Sequence, residues 1–340
     1  MDREEAVALL RRAPVVHLAS VTTEGEPILR TVHGVVVGNA VAFHGAPAGE
    51  KMEAVGRRAV ISAEEHVAQI PSYFLDPERA CPATTYYRSA QVHGVLERVD
   101  DANEKAEVLS ALMQRFQPEG GHVPIDAAHP LYRKAVAGIM VLKVRLDDVD
   151  GKAKLGQNRR PEELHKVMLG LWRRGASADL TAMELVRAAN PECPPPEFLR
   201  GPDGVSLHVA LRDDDVAQVV ALLHDVYWTV GIPGDALARS HRGAAAWVGA
   251  RDGKGQLVAT ARAISDGARS AWIHDVMVAP AWRGKGVGSA LLALLLDHPA
   301  VRHAREVRLQ TRDAMALYAR FGFVERGRNS ERVEMVRLGA

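Results

Sequence analysis

The stretch of sequence that decides the fold of the C-terminal half lies at residues 276–292. It reads Val276-Met277-Val278-Ala279-Pro280-Ala281-Trp282-Arg283-Gly284-Lys285-Gly286-Val287-Gly288-Ser289-Ala290-Leu291-Leu292. An apolar strand ends at a proline, and a glycine-rich loop then turns directly into a leucine-rich helix. Glycines let the backbone approach an anion closely, and the free amides of the first helical turn point toward that anion. Because Arg283 and Lys285 add positive charge, the loop predicts a site for a diphosphate.

Read alone, this loop has a second interpretation, a turn that only reverses the chain. It is not a Walker loop, since the pattern Gly-x-x-x-x-Gly-Lys-Ser/Thr is absent. The downstream acidic residue of a dinucleotide-binding fold is not evident either.

Strands and helices alternate on both sides of the loop. Apolar runs predict strands at residues 207–211, 246–248, 257–261, 272–278, 307–309 and 333–336, and helices at 213–226, 286–296 and 314–320. This alternation predicts an α/β or α+β domain built around a mixed sheet.

A proline-rich segment precedes that domain. Four prolines occupy the six positions 191–196, where they remove amide donors and fix φ, so neither a helix nor a central strand can cross. A length of 340 residues also favours two domains over one. We therefore predict a first domain at 1–188, a linker at 189–205 and a second domain at 206–340.

The first 188 residues have the pattern of an antiparallel β-barrel with a few helices. Short β-branched runs, separated by turn signals, predict strands at residues 15–21, 35–37, 41–44, 59–62, 84–87, 92–95 and 139–144. Apolar residues at helical spacing predict helices at 103–116 and 161–174.

Charge and composition exclude several classes of protein. Lys and Arg number 43 against 42 Asp and Glu, so no basic field is available to hold nucleic acid or an anionic membrane. The longest apolar run, residues 290–296, is far shorter than a membrane span, and the N-terminus does not resemble a secretory signal. Two cysteines are too few for a disulfide framework or, alone, for a zinc site. We expect a cytoplasmic protein without a metal.

Two motifs in the C-terminal half resemble the GNAT superfamily of N-acetyltransferases. One is the R-x-x-G-x-G loop at residues 283–288, and the other is A-x-x-L-Y-x-x-F-G-F at residues 314–323. The resemblance covers about residues 206–340. It implies a GNAT fold and transfer of an acetyl group from acetyl-CoA to an amine, with a small molecule or a peptide as the acceptor.

The resemblance also implies roles for particular residues. The pyrophosphate of acetyl-CoA would lie on the backbone of Arg283, Gly284, Lys285, Gly286, Val287, Gly288 and Ser289. The pantetheine arm would pair with the strand backbone of Val276, Met277 and Val278, where an amide would polarise the thioester carbonyl.

The same resemblance makes Tyr318 the acid that protonates the leaving thiolate, although it is also compatible with a core tyrosine beside Phe321 and Phe323. His274 and Asp275 are the candidate bases. Strand alternation puts them on opposite faces, so at most one is expected to face the cleft, and either can be only structural. Tyr227, Trp228 and residues 230–233 are candidates to line the acceptor site or simply to pack.

Two motifs in the N-terminal half resemble the flavin-binding split-barrel proteins related to pyridoxamine 5'-phosphate oxidase, closest to the nitroimidazole-resistance type. They are H-G-A-x-x-G-x-K, residues 44–51, and Y-R-S, residues 87–89. The segment 151–159 looks like that of a neighbouring subfamily of flavin-binding regulators. The resemblance implies a homodimer with FMN at the interface, contacted by His44, Gly45, Ala46, Lys51, Arg88 and Ser89. Read alone, these residues are also compatible with solvated charges on a barrel, and some relatives bind haem or have lost the cofactor.

Three functions stay open on the sequence. The first is an N-acetyltransferase fused to a flavin-binding barrel. The second is an FMN-dependent oxidoreductase with an accessory acetyltransferase domain. The third is a non-catalytic regulator that senses one of the cofactors.

Overall fold

The computed structural model describes residues 1–328 and 332–339, so that residues 329–331 and Ala340 of the predicted second domain lie outside the described residues. The chain forms two compact units. The first contains residues 1–67 and 85–154, and the second contains residues 68–84 and 155–340.

The first unit is built on two antiparallel sheets, as predicted for a split barrel. Its strands are β1 (Val16–Val21), β2 (Pro27–Val32), β3 (Val35–Val37), β4 (Ala40–Gly45), β5 (Arg58–Ile70), β6 (Thr84–Val95), β7 (Glu97–Val99), β8 (Met140–Arg145) and β9 (Asp148–Lys154). The sheet orders are β2-β1-β5-β6-β9 and β3-β4-β8-β7. Leu18, Phe43, Ile61 and Leu142 are fully buried and form the centre of one apolar cluster.

Four helices accompany these sheets: α1 (Arg3–Arg12), α2 (Glu50–Glu53), α3 (Ala102–Phe116) and α4 (Arg133–Gly138). The periodicity predicted α3 to within one residue, but it did not reveal α1. Helix α1 begins with a capping box, in which the Asp2 carboxylate accepts from the Glu5 amide and the Asp2 amide donates to Glu5.

The second unit contains the predicted mixed sheet, in the order β10-β11-β12-β13-β14-β16-β15. The strands are β10 (Ser206–His208), β11 (Ala246–Arg251), β12 (Leu257–Ser265), β13 (Ser270–Val278), β14 (Glu306–Thr311), β15 (Val324–Arg328) and β16 (Val333–Leu338). The helices are α5 (Pro161–Arg174), α6 (Asp179–Ala189), α7 (Val216–Leu223), α8 (Gly234–Arg242), α9 (Val287–Leu296) and α10 (Met315–Ala319). The α/β (α+β) fold class predicted for this half is confirmed.

Strands β13 and β14 are parallel and then separate. They pair only where residues 270–272 face residues 306–308. Beyond Trp272, β13 continues along β12 as far as Val278, while β14 stays paired with β16 up to Thr311. Among the described residues, one edge of β13 is therefore left without a partner strand at residues 273–278, in the middle of the sheet.

Helices α5 and α6 belong to the second compact unit. The Trp172 indole donates to Asp297 over 2.7 Å, and the Arg302 guanidinium donates to the Trp172 carbonyl. Glu184 of α6 accepts hydrogen bonds from His208 at 2.8 Å and from the Val209 amide.

The proline-rich segment 189–205 lies inside the same unit. Its Asn190 side-chain amide donates to the Val186 carbonyl, and its Leu199 is fully buried. One boundary between the compact units lies near residue 154, so that α5, α6 and the proline-rich segment all belong to the second unit. The sequence domains 1–188 and 206–340 stay a prediction.

Candidate functional site

The glycine loop enters α9 with the first backbone amides of this helix uncovered, in the sense that they have no hydrogen-bond acceptor among the described residues. Gly286 is the N-cap residue at φ +84°, a left-handed conformation that glycine adopts without cost, and no side chain caps the helix. The amides of Val287, Gly288 and Ser289 occupy the first helical turn, where no intrahelical acceptor exists. A Cβ at Gly288 would lie 3.4 Å from the Val278 side chain, an ordinary contact, so the start of α9 lies directly beside the end of β13.

The two cations of the loop have different positions. The Arg283 Nε donates to the Val278 carbonyl over 3.0 Å, which ties the loop to the end of β13. Lys285 is half exposed; its ammonium lies 4.8 Å from the centre of the Trp282 ring and 3.7 Å from Asp203. The sequence-predicted positive charge is therefore present beside the uncovered amides.

A cavity of about 310 Å³ lies where β13 and β14 separate. Both strands line it, together with residues before α8 and at α10. Its lining includes Tyr227, Trp228, Arg262, Trp272, His274, Asp275, Val276, Thr311, Asp313 and Tyr318. Four predicted site residues, His274, Asp275, Val276 and Tyr318, thus come together here. Met277 points elsewhere, into an apolar cluster with Trp247 and Leu257.

The strict alternation expected for His274 and Asp275 does not hold: the side chains were expected on opposite faces of β13, yet both residues line the cavity. The register between β12 and β13 shifts by one residue between Thr260 and Arg262. Asp275 lies at this bulge with φ +54°, a conformation that is uncommon for any residue other than glycine. A single extra residue in β13 therefore cancels the alternation.

Asp275 is held by two donors inside the cavity wall. Its side chain is 7% exposed, and the Arg262 Nε donates to Oδ2 over 2.6 Å. The Trp228 indole donates to Oδ1 over 3.2 Å. The carboxylate is therefore fixed in place and its charge is balanced by a buried guanidinium.

His274 differs from its neighbour in its environment. Its ring stacks on Trp272 with centroids 6.2 Å apart. Burial lowers the pKa of His274, the charge of Arg262 lowers it further, and Asp275 acts in the opposite direction. A neutral imidazole at the cavity wall can accept a proton, which is the property required of a base.

Tyr318 combines both interpretations that the sequence left open. Its residue is 7% exposed, and its ring meets Phe323 edge-on at 5.9 Å, as a core tyrosine would. It also lines the cavity. Burial, followed by the nearby Tyr227 and Asp313, raises the pKa of Tyr318 to about 12, so the phenol keeps its proton at neutral pH.

Some residues of the cavity were not predicted. Arg262 and Trp272 lie within strands, and the only sequence signal was a cationic residue next to the apolar run 257–261.

Arg312 places its guanidinium 3.7 Å from the centre of the Tyr227 ring, and its backbone amide donates to the Tyr227 hydroxyl. Tyr227 and Trp228, candidates for the acceptor site, do line this cavity.

The predicted flavin residues of the first unit fall into two groups. In one group, Lys51 lies over Gly45, where an added Cβ would be 2.8 Å from its ammonium nitrogen. His44 directly precedes Gly45 in the chain. Partial burial lowers the pKa of His44, and the charges of His33 and Lys51 lower it further. Ala46 lies in the exposed turn between them. Among the described residues, Lys51 has no ion-pair partner.

The second group surrounds Arg88 on β6. Its Nε and Nη2 both donate to the Glu65 carboxylate, over 3.0 and 2.6 Å, and Arg12 pairs with the same carboxylate. Ser89 lies next to it, opposite Lys152 of β9. Within the described part of the chain, no hydrogen bond or ion pair joins Arg88 to Lys51. The predicted phosphate contacts are therefore unequal: one cation is unpaired and the other is already paired.

Two further features are absent from the described residues. No group of three or more His, Cys, Asp or Glu side chains could hold a metal ion there. No helix among the same residues is long and apolar enough to cross a membrane.

Two family models match separate parts of the chain. One, described as pyridoxamine 5'-phosphate oxidase, matches residues 2–153. The other, described as the acetyltransferase (GNAT) family, matches residues 221–323. None of the curated proteins compared with the chain matches it.

Solved structures are similar to each part. A putative 5-nitroimidazole antibiotic resistance protein from Bacteroides thetaiotaomicron is 19% identical over 45% of this chain and 84% of its own, with a TM-score of 0.37. The FAD and heme binding protein from Mycobacterium smegmatis is 24% identical over 45% and 71%, with a TM-score of 0.38. A putative acetyltransferase of the GNAT family from Xanthomonas campestris pv. campestris is 32% identical over 37% and 94%, with a TM-score of 0.33.

Proposed function

Because this chain joins a pyridoxamine 5'-phosphate oxidase-like domain to a domain of the GNAT acetyltransferase family, we propose that it transfers an acetyl group from acetyl-CoA to an amine. The observation that carries the proposal is the arrangement around β13. An uncovered helix N-terminus lies at one end of the strand, and a cavity opens beside its unpaired edge.

Two parts of acetyl-CoA match these two features. The diphosphate fits the amides of Val287, Gly288 and Ser289, with Lys285 nearby to balance its charge. The pantetheine arm, which carries amide groups, fits the edge of residues 276–278 that has no partner strand among the described residues; at its end the Val278 carbonyl already accepts from Arg283. An amide of the same edge would then donate to the thioester carbonyl as negative charge develops on it.

The chemical step uses groups that line the cavity. The amine nitrogen forms a bond to the acetyl carbon, and the bond from that carbon to sulfur breaks. The thiolate takes its proton from the Tyr318 phenol. The amine gives up a proton to one of the two candidate bases that line the cavity, His274 or Asp275. Solvent then restores the Tyr318 proton.

A cavity of about 310 Å³ has the size of a small-molecule pocket, which favours a small amine over a peptide as the acceptor. The test incubates the full chain with acetyl-CoA and either small primary amines or short peptides, and measures release of free thiol. We expect release above the amine-free background with at least one small amine. Release with peptides alone would contradict the assignment of a small acceptor, and no release with any amine would contradict acetyl transfer.

We also propose that the first unit binds FMN, which supplies redox chemistry when bound. The residues fit its phosphate end: Lys51 is unpaired among the described residues, and Gly45 leaves room beneath its ammonium. His33 and His44 add basic side chains beside it. Arg88 contributes less free charge, since Glu65 already accepts two of its hydrogen bonds.

This inequality gives a specific expectation for FMN binding. Lys51→Ala removes a charge-assisted phosphate contact and is expected to raise the Kd for FMN by about tenfold to a hundredfold. Arg88→Ala is expected to have a smaller effect, and Lys134→Ala, which removes an exposed lysine of α4, should have none. Calorimetry with the full chain measures all three. Equal binding by wild type and Lys51→Ala would place the phosphate elsewhere.

A further inference from the structure

A buried histidine behind the cavity has an unpartnered nitrogen. His241 of α8 has a side chain that is 1% exposed. Its Nδ1 lies 2.9 Å from the Leu237 carbonyl, and its ring meets Trp247 edge-on at 5.3 Å. The other ring nitrogen, Nε2, has no hydrogen-bond partner among the described residues. Buried polar atoms without a partner are rare, so this nitrogen requires an explanation.

The position of Nε2 indicates what its partner is. The Leu237 carbonyl can only accept, so a hydrogen on Nδ1 supplies the donor for that contact. The Ser240 hydroxyl lies 3.5 Å from the same nitrogen but donates to the Leu237 carbonyl over 2.8 Å, so its hydrogen is not directed at Nδ1. In the neutral ring Nε2 is then a bare lone pair. That lone pair faces Oδ2 of Asp275 over 3.7 Å. Two acceptors that face each other in a buried place repel, whereas a proton on Nε2 would satisfy both.

The charged groups around His241 act in both directions. Asp275 of β13 favours a charged ring, and Arg262 of β12 disfavours it. Trp247 of β11 is uncharged, and so are the Leu237 carbonyl and the Ser240 hydroxyl of its own helix, which both lie near Nδ1. Burial is the largest influence and lowers the pKa of His241. The resting ring is therefore neutral and has a vacant nitrogen beside the carboxylate.

We propose that His241 is a positioning residue that shares a proton with Asp275, so that the pair, and not Asp275 alone, receives the proton that the acceptor amine loses. This inference rests on the proposed acetyl transfer. Trp228 and Arg262 already donate to the two oxygens of Asp275, and His241 adds a nitrogen next to Oδ2 that can take up a proton. His241 is not among the residues that line the cavity, and it acts only through Asp275.

The step balances without any further reactant. An N–H bond of the ammonium breaks and an O–H bond to Asp275 forms; that bond then breaks as an N–H bond forms at Nε2 of His241. The carboxylate is again an anion and now faces an imidazolium. The separation of 3.7 Å must shorten for this transfer, as contacts in an empty site often do when substrate binds. The proton returns through Asp275 to the cavity and solvent.

The test is a titration of ring nitrogen resonances by NMR in the full chain without acetyl-CoA, so it does not depend on turnover. His241→Gln identifies the signal among the 14 histidines. We expect the hydrogen on Nδ1 at high pH. Asp275→Asn, which keeps the size and tolerates the left-handed backbone, should lower the titration midpoint by about 1 pH unit or more. The exposed His224, which pairs with Asp225 over 2.7 Å, is the control and should not move.

The Trp228 indole gives a second readout, since its N–H donates to the same carboxylate. The resonance of this indole proton, identified by its loss in Trp228→Phe, should change with pH at the same midpoint as His241. That change should be absent in His241→Gln. A hydrogen on Nε2, or an unchanged midpoint in Asp275→Asn, would overturn the shared proton. If acetyl-CoA does not bind while the midpoint of His241 still responds to Asp275→Asn, the proposed function is overturned instead. The two failures are therefore distinguishable.

Discussion

Gly286→Asp is expected to weaken acetyl-CoA binding by about 30-fold relative to Gly286→Asn. Both side chains tolerate the left-handed backbone at this N-cap, and a Cβ there meets Pro202 at an ordinary 3.7 Å. The two variants therefore differ mainly in charge. Two like charges roughly 8 Å apart repel by about 2 kcal/mol at an effective dielectric constant of about 20, which gives this ratio.

Calorimetry with acetyl-CoA and a melting curve for each variant make the comparison. Gly255→Asp is the control, because Gly255 has φ +79°, open space around it and a place in the turn between β11 and β12. It should bind acetyl-CoA like the wild type. Equal affinity of Gly286→Asp and Gly286→Asn would mean that the diphosphate does not lie at the start of α9.

The features that the sequence predicted are those with local causes. The loop at residues 283–288 was recognisable because glycine, positive charge and a following helix are adjacent in the chain. Helix α5 was predicted at its observed bounds, since Pro161 begins it and apolar residues recur at helical spacing. The overlooked α1 also had a local signal, the Asp2-x-x-Glu5 capping box.

The features that were not predicted depend on contacts between distant segments. The bulge at Asp275 is set by how β13 pairs with β12, and no local pattern marks it. The partners of Asp275 come from three other elements or loops, at Trp228, His241 and Arg262. Likewise, the proline-rich segment reads as a linker, yet Leu199 within it is fully buried. Only the folded chain brings these groups together.

Tyr318→Phe is expected to lower kcat by about 10²–10⁴-fold while acetyl-CoA affinity survives. The variant keeps the ring and its edge-on contact with Phe323, and removes only the phenol oxygen at the cavity. The pKa of about 12 means that the wild-type group stays protonated, and so able to donate, throughout the neutral range. Because the folded pKa lies above the ordinary value of 10.0, the wild type should lose stability as pH rises from 10.0 to about 12, and the variant should lack that loss.

The competing interpretation, a tyrosine that only packs, makes a different prediction for the same variant. It expects turnover close to wild type and a changed melting temperature at neutral pH. Measuring kcat, acetyl-CoA affinity and melting temperature together separates the two, with Tyr73→Phe as the control, since Tyr73 is 64% exposed. Normal kcat in Tyr318→Phe would end its assignment as the acid and leave solvent to protonate the thiolate. The uncovered amides of α9 and the free edge of β13 would still support the binding of acetyl-CoA, because neither depends on the phenol.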